Sequence, residues 1–289
     1  MIAEPGPSGE RAGLSRCRCC LVQSFIQLVI KMEFLTTEFF GTQIWLWVSF
    51  LVLVLGLIVF DLGIVNTKSK TMTMKRSLIL SAFYIGLGLL FSLFVAQQFG
   101  KDAALNYVTG FVVEKSLAID NVFVIAMIFS YFAIPQQLQH RVLLYGIIGV
   151  LVLRAIMIAL GAVIVEQFEW VLYLFAAFLV ITGVKMLFHG GEEQKLEDNK
   201  IVKWSQKIIK VSPNLDGDKF FTTINEGGKL KKIATPLFLA LIIVEISDLI
   251  FAIDSIPAIF AITKDPYIVF TSNIFAILGL RALYFALAS

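Results

Sequence analysis

The amino-acid sequence predicts an all-α fold, that of a polytopic helical membrane protein with an inverted repeat. Of its 289 residues, 58% are hydrophobic and 16% are charged, whereas soluble globular chains average about 45–50% and about 25%. Phe occurs 26 times and His twice. This composition excludes a disordered chain, a disulfide scaffold and an ordinary soluble enzyme. The net charge of +3 is too small to indicate nucleic-acid binding.

Seven apolar stretches are long enough to cross a bilayer, because a hydrocarbon core of about 30 Å needs about 20 helical residues. Their hydrophobicity is continuous and lacks the alternation of a membrane β-strand, which excludes a β-barrel. The predicted spans are Ile44–Ile64, Ser77–Phe99, Leu105–Phe132, Val142–Val165, Phe168–Phe188, Ile233–Ile262 and Ile268–Leu287.

These spans divide the chain into four predicted parts. They are an N-terminal tail (1–42), a first membrane part of five helices (43–188), a polar loop (189–232) and a second membrane part of two helices (233–289). Apolar residues at helical spacing in the loop predict an amphipathic helix on the membrane surface, and a solvated linker is the alternative. Those residues are Ile201, Trp204, Ile208 and Val211. The segment Asn214–Asp218 is predicted to form a turn.

The distribution of basic residues predicts the orientation in an inner membrane, because Lys and Arg accumulate in cytoplasmic loops. The loops after the first, third and fifth spans carry most of them, so we expect the N-terminus outside and the 189–232 loop in the cytoplasm. Basic residues of the tail oppose this orientation, and a translation start at Met32 would remove the conflict. We therefore expect residues 1–31 to be dispensable. The opposing residues are Arg11, Arg16, Arg18 and Lys31.

Apart from Glu169 and Lys185, which lie near span ends, nine ionisable side chains lie inside the predicted spans, although each costs about 2.5–3.5 kcal/mol at bilayer depth. Six are acids and three are bases, so full pairing would leave three carboxylates without a basic partner. Such a carboxylate holds a proton or a cation, which indicates an ion pathway. The nine residues are Asp61, Glu114, Lys115, Asp120, Arg154, Glu245, Asp248, Asp254 and Arg281.

Not all nine need a role in ion binding. Asp61 lies near the end of its span, where it can also reach interfacial water. Lys115 either neutralises a neighbouring carboxylate or extends to the membrane surface. Arg154 and Arg281 are expected to be structural counter-charges. The candidate ion ligands are therefore the five remaining acids.

An internal repeat relates these acids to one another. Glu114-Lys-Ser-Leu-Ala-Ile-Asp120-Asn121 aligns with Asp248-Leu-Ile-Phe-Ala-Ile-Asp254-Ser255, and Leu-Arg-Ala follows each copy, at Arg154 and at Arg281. The third and sixth spans cross the membrane in opposite directions, so the two copies are expected to be antiparallel. This is typical of an inverted repeat with its site near the midplane.

Helix geometry limits which side chains of a copy can share one ion. Residues seven apart, such as Glu114 and Asn121, share a helix face. Acids six apart point in directions that differ by about 120°, so both reach one ion only where the helix is unwound. Pro257 removes a helical amide and predicts such an unwinding near Asp254.

The donors inside the spans are oxygen atoms of carboxylates, Asn121 and Ser255, since the two His residues lie in predicted loops. Oxygen ligands suit Mg²⁺, Ca²⁺ and Mn²⁺, whereas Zn²⁺ and Cu⁺ recruit His or thiol. Protons and Na⁺ remain open. We expect no permanently bound cofactor, and the expected partners are the transported divalent ion and the lipid bilayer.

Two blocks, 114–124 and 245–263, resemble the signatures of the TerC family of membrane proteins, and the similarity extends from about Ile44 to Ser289. It is closest to the Alx-type branch of manganese exporters. The resemblance implies Mn²⁺ export, kinship with tellurite-resistance proteins, and metal handling by Glu114, Asp120, Asn121, Glu245, Asp248 and Asp254, with Ser255 beside them. The family pattern continues for about two further helices, so we expect the chain to be truncated at its C-terminus.

The resulting hypothesis is a transporter that exports divalent cations, Mn²⁺ above all, in exchange for protons. No Walker motif is present, so an ATP-driven pump would need a partner. An intramembrane aspartic protease is disfavoured because the spans lack the customary Gly-Asp motif, and we expect no enzymatic activity. The alternative is a membrane docking or assembly factor of a stress-response complex with no transport of its own. Export of an organic solute rests on superfamily kinship alone.

Overall fold

The computed structural model describes residues 36–65, 74–189, 205, 209–226 and 229–287. The chain forms two compact units, Met1–Lys68 and Ser69–Ser289. In the described part of the first unit, the short antiparallel strands β1 (Glu38–Phe39) and β2 (Thr42–Gln43) precede helix α1 (Ile44–Val65). The predicted tail 1–31 and the start at Met32 lie outside the described residues.

The second unit contains the remaining elements, which are mainly helices. They are α2 (Met74–Phe99), α3 (Lys101–Tyr131), α4 (Gln136–Gln167), α5 (Val171–His189), β3 (Phe221–Glu226), β4 (Lys229–Ala234), α6 (Pro236–Ile262), α7 (Pro266–Ile277) and α8 (Leu280–Leu287). Each predicted span corresponds to a helix or, for the last one, to a helix pair. The predicted boundary between the two membrane parts falls inside this unit.

Length and apolarity confirm a polytopic helical membrane protein. Among the described residues, five segments are long and apolar enough to span a membrane: Ile44–Asp61, Met74–Phe99, Gln136–Gln167, Pro236–Ile262 and Pro266–Leu287. Helix α3 is also long but carries Glu114, Lys115 and Asp120. The apolar segment of α5, Val171–Lys185, is shorter.

Helix α3 packs against α2, α6 and α7, and α6 packs against α4 and α5. Helices α3 and α6 are antiparallel, because Gly110 lies next to Ile259 whereas Asn121, further along α3, contacts the earlier residue Asp248. This is the arrangement that the inverted repeat predicts. Helix α7 is buried on every side from Tyr267 to Ile277, as expected for a helix with apolar residues all around it; the polar residues Thr271, Ser272 and Asn273 are buried with them.

Two contacts at opposite ends of α4 indicate that the helices from α4 to α7 run in alternating directions. Lys264 Nζ, between α6 and α7, donates to Glu169 Oε1, between α4 and α5, at 2.8 Å. At the other end, Arg141 pairs with Asp218, which precedes β3. The alternation agrees with the predicted spans, while the side that faces the cytoplasm stays a prediction.

The seventh predicted span, Ile268–Leu287, lies in a segment that is long and apolar enough to cross a membrane, but a break divides that segment into two helices. Helix α7 ends at Ile277 and α8 begins at Leu280. Gly279 has φ +83°, and a Cβ there would lie 2.8 Å from Cβ of Tyr84 on α2. Only glycine combines this conformation with such a close approach.

The predicted unwinding near Asp254 is wrong, because α6 continues through Pro257 to Ile262 without a break. A membrane helix tolerates an internal proline when neighbouring groups compensate for the lost backbone hydrogen bond. Pro257 is buried together with Ser255 and Ile256. The helix therefore crosses Pro257 in a buried environment.

The polar loop contains a hairpin that the sequence did not predict. Strands β3 and β4 pair from Phe221↔Ala234 to Glu226↔Lys229. Ile233, predicted to begin the sixth span, lies in β4 because Thr235 is extended and Pro236 starts the helix. Of the predicted amphipathic helix, Val211 forms a bridge with Ala234 instead. Ile201, Trp204 and Ile208 lie outside the described residues.

The turn predicted at Asn214–Asp218 is confirmed. Lys219 N donates to Asp216 O at 3.1 Å, and Gly217 between them has φ +57°. The Asp216 carboxylate accepts from the Thr222 hydroxyl at 2.8 Å, so the turn leads directly into β3.

Candidate functional site

Midway along α4, Arg154 is 1% exposed, and its guanidinium joins three other helices. Nε donates to Asp248 Oδ2 at 3.1 Å, and Nη2 donates to Asp248 Oδ1 at 3.0 Å. Nη1 donates to Glu114 Oε1 on α3 and, at 2.8 Å, to Asn273 Oδ1 on α7. The fork to Asp248 is the bidentate geometry that guanidinium groups prefer.

Asn121 completes this group, which we call the Arg154 cluster: Glu114, Asn121, Arg154, Asp248 and Asn273. Asn121 Nδ2 lies 3.4 Å from Asp248 Oδ1. All five residues are buried. Glu114 and Asn121 lie on one face of α3, as predicted, and Asp248 and Ser255 are likewise both buried on α6. The first acid of each repeat copy therefore reaches the same guanidinium.

The cluster is electrostatically demanding. Two ionised carboxylates and one guanidinium carry a net charge of −1, and charges at this depth have lost their hydration. Removing one partner of a buried pair typically costs about 3–5 kcal/mol because the other charge stays buried. Arg154 therefore stabilises this state of the protein, as expected of a counter-charge.

Several polar atoms of the cluster have no hydrogen-bond partner among the described residues. They are Glu114 Oε2, Asn121 Oδ1 and Asn273 Nδ2. Buried polar groups are normally satisfied by protein or by ordered water. Two of the three are oxygen acceptors, so the unfilled bonding capacity next to Arg154 suits a cation or a water molecule.

Glu245 lies one turn before Asp248 on α6, and both of its carboxylate oxygens are buried without a partner in the described part of the chain. The carboxylate faces α4, where a Cβ on Gly149 would overlap it and one on Gly146 would lie 3.6 Å from it. Gly149 thus makes the space for this side chain.

A cavity of about 30 Å³ adjoins the cluster, and its polar lining residues are Asn121, Ser247, Asp248 and Arg281. The rest of its lining is mostly apolar and includes Leu143, Val244 and Leu280. This volume accommodates about two water molecules. It connects the Arg154 cluster to the second arginine of the repeat.

The two repeat arginines have different environments. Arg281 on α8 is 2% exposed, and its Nη1 lies 3.2 Å from His140 Nδ1 near the start of α4. The internal sequence symmetry therefore does not extend to the partners of these two residues.

The second acid of each copy lies away from the cluster. Asp120 is exposed and Asp254 is partly exposed, in agreement with the difference of about 120° between acids six positions apart. Asp61 belongs to the first unit, where its side chain is partly buried near the end of α1.

Lys115 takes neither of its two expected roles. Its Nζ donates to Ala276 O at 2.9 Å, in the last turn of α7. The break after Ile277 leaves carbonyls of that turn without helical partners, and a cation is favourable at a helix C-terminus. Lys115 therefore caps α7 across the helix interface.

The six predicted metal residues do not all converge in this structure. Glu114, Asn121 and Asp248 meet at Arg154 and Glu245 lies beside them, whereas Asp120 and Asp254 lie elsewhere. The described residues contain no group of three or more His, Cys, Asp or Glu side chains that could hold a metal ion. The metal site stays a prediction.

Asn273 was missed from the sequence. Its signal was present: it is a carboxamide in the mostly apolar segment Ile268–Ile277, and a polar group there needs a partner. It is 0% exposed.

Outside the spans, two acids have shifted pKa values. The hydrogen bond and charge of Lys264 lower the pKa of Glu169. Burial raises the pKa of Asp265, against the opposing effect of the amides of Ile268 and Tyr267 that its carboxylate caps.

Comparisons with known proteins identify related sequences. Residues 99–289 match the family described as "Integral membrane protein TerC family". An "Uncharacterized membrane protein" of Rickettsia bellii is 48% identical over 242 residues, which cover 84% of this chain and 79% of the relative. The "Putative membrane-bound redox modulator Alx" of Escherichia coli K12 is 47% identical over 257 residues, covering 86% and 78%. No solved structure gives a significant match.

Proposed function

Because this chain belongs to the TerC family of integral membrane proteins, we propose that it exports divalent cations, Mn²⁺ above all, in exchange for protons. The carboxylates of the membrane interior carry the ions and catalyse no reaction. In this proposal the protein lies in the inner membrane with its N-terminus outside and the 189–232 loop in the cytoplasm.

The observation that carries the proposal is the meeting of Glu114 and Asp248 between antiparallel copies of one repeat. Acids at the midplane between inverted repeats are typical of secondary transporters. Glu245 adds a third carboxylate beside them, and Arg154 is the guanidinium that contacts two of the three. Three ionised acids against one guanidinium leave a charge of about −2, which one divalent ion or two protons would balance.

The donor set supports Mn²⁺ over softer metals. The cluster offers carboxylate and carboxamide oxygens from Glu114, Asn121 and Asp248, and hard divalent ions prefer oxygen ligands. Glu245 supports the coupling to protons, since a buried carboxylate without a hydrogen-bond donor is stable when protonated or beside a cation.

A second candidate function is a docking or assembly factor without transport. It is favoured by the hydrogen bonds that already join Arg154 to Glu114 and Asp248, because a purely structural ion-pair network needs no further ion. The two functions differ in whether neutral substitutions of these acids change metal flux.

Mn²⁺ uptake into everted membrane vesicles with a proton gradient tests the proposal. We expect the full-length protein to accumulate Mn²⁺ and a protonophore to stop it. Asp248→Asn and Glu114→Gln should each reduce uptake at least tenfold. Asp102→Asn, in the exposed first turn of α3, is the matched control and should leave uptake unchanged. Uptake equal to that of vesicles without the protein would contradict transport and favour the docking function.

A further inference from the structure

The guanidinium of Arg154 occupies the space between the two acids that face each other across the repeat. Its three nitrogens donate to Asp248, Glu114 and Asn273. Nine-tenths or more of each of these side chains is buried. The carboxylates that the proposed function assigns to the transported ion therefore already bind a positive group of the protein itself.

A divalent cation cannot bind the carboxylate oxygens that now accept from Arg154 while the guanidinium stays in place. Mn²⁺-like ions bind carboxylate oxygens at about 2.0–2.6 Å, which is the space that the guanidinium nitrogens fill. A divalent charge next to a guanidinium charge is also strongly unfavourable in a medium of low dielectric constant. The ion can therefore bind through these oxygens only when Arg154 has moved away from them.

The second arginine of the repeat lies beside a residue of a different kind. Arg281 occupies the equivalent sequence position, yet its Nη1 lies next to His140. Both arginines are almost fully buried. Burial of an arginine therefore does not by itself explain why Arg154 bridges Glu114 and Asp248.

We infer that Arg154 is a tethered counter-cation: it neutralises Glu114 and Asp248 when no ion is bound, and each transported ion must displace it. This inference rests on the proposed function. When a tethered group competes for the site, the apparent affinity equals the intrinsic affinity multiplied by the fraction of molecules in which the site is free. Arg154 thus keeps ion binding weak and ion release fast, which a transporter requires.

The test compares Mn²⁺ binding and Mn²⁺ transport in the same variants. Binding to the purified full-length protein is measured from the electron paramagnetic resonance signal of free Mn²⁺, and transport from uptake into proteoliposomes. Arg154→Gln removes the competing charge, so we expect the Kd for Mn²⁺ to fall at least tenfold. We expect the maximal transport rate to fall at least tenfold as well, because the ion is no longer expelled.

Three further variants separate competition from a merely structural role. Arg154→Lys keeps the charge, so its Kd should stay within about threefold of the wild-type value, which corresponds to about 0.7 kcal/mol in binding free energy. Arg281→Gln is the matched control in the other copy and should not tighten binding. Asn273→Ala retains all charges but removes one acceptor of the guanidinium, so we expect a smaller decrease in Kd, of about threefold.

The test distinguishes failure of the inference about Arg154 from failure of the proposed function. If the wild-type protein neither binds nor transports Mn²⁺, the proposed function fails. If the wild-type protein transports Mn²⁺ and Arg154→Gln binds it no more tightly, the tethered counter-cation is overturned. Should Arg154→Gln not fold, Asn273→Ala decides: an unchanged Kd overturns the inference, and a lower Kd supports it.

Discussion

The two copies of the internal repeat begin with equivalent residues and end in different environments. Their first acids, Glu114 and Asp248, both contact Arg154. The arginine that follows the first copy is therefore shared by both acids, whereas the arginine that follows the second lies next to His140. The comparison teaches that a repeat fixes which positions face inward, while the surrounding helices decide which partner each position meets.

The largest expected effect compares two acids of one copy. Asp248→Ala leaves the guanidinium of Arg154 buried with one carboxylate fewer, so we expect the free energy of unfolding to fall by about 3–5 kcal/mol. Asp254→Ala, six residues later and partly exposed, should cost less than about 1 kcal/mol. Urea unfolding in detergent, followed by Trp fluorescence, measures both. Equal losses would show that the two acids are equally embedded.

Gly149→Ala tests the contact of Glu245, which lies three residues before the second copy. The new methyl group would overlap the Glu245 carboxylate, so we expect a loss of about 1–3 kcal/mol from overpacking. Gly86→Ala on α2 is the control, because nothing lies within 4 Å of a Cβ there. The same unfolding assay applies, and an unperturbed Gly149→Ala protein would mean that Glu245 points elsewhere.

Lys115→Met sharpens the comparison at the position after the first acid, where the second copy has Leu249. The substitution removes the hydrogen bond to Ala276 O, and we expect a loss of about 1–2 kcal/mol. Hydrogen exchange should also accelerate in the last turn of α7. Leu249→Met is the matched control, and if it had the same effect, the cap on α7 would carry no stability.

The smallest effect concerns the exposed pair Glu169–Lys264, outside the repeat. Because Lys264 lowers the pKa of Glu169, the pair contributes stability above the unfolded pKa of Glu169 and loses it as the pH falls through the lower folded pKa. We expect Lys264→Met to lower the thermal midpoint slightly at pH 7, with the difference from wild type disappearing at lower pH. A difference that grew on acidification would contradict this sign.

Periodicity was sufficient to predict much of the site. The spacing of Glu114 from Asn121, and of Asp248 from Ser255, placed each pair on one buried face, and the same geometry separated Asp120 and Asp254 from them. The partners across helices could not be predicted, since the contacts of Arg154 with Asp248 and Asn273 join residues 94 and 119 positions apart. Nothing local in the sequence encodes such contacts.

The irregular elements escaped prediction for a related reason. The break at Gly279 depends on its close approach to Tyr84, far away in the chain. Helix α6 continues through the buried Pro257, although a proline inside a helix normally kinks or breaks it. In the polar loop, the sequence does not reveal the hairpin Phe221–Ala234, because Ile233 in its second strand is continuous with the apolar residues of the following helix.

The most direct test of a cation site between the repeat copies is the position of Mn²⁺ itself. Crystals of the full-length protein grown with Mn²⁺ would be measured on both sides of the manganese absorption edge. We predict an anomalous difference peak between Glu114 and Asp248, with the guanidinium of Arg154 withdrawn from both carboxylates. A Mn²⁺ peak at another place, with Arg154 still bridging the two acids, would contradict the account.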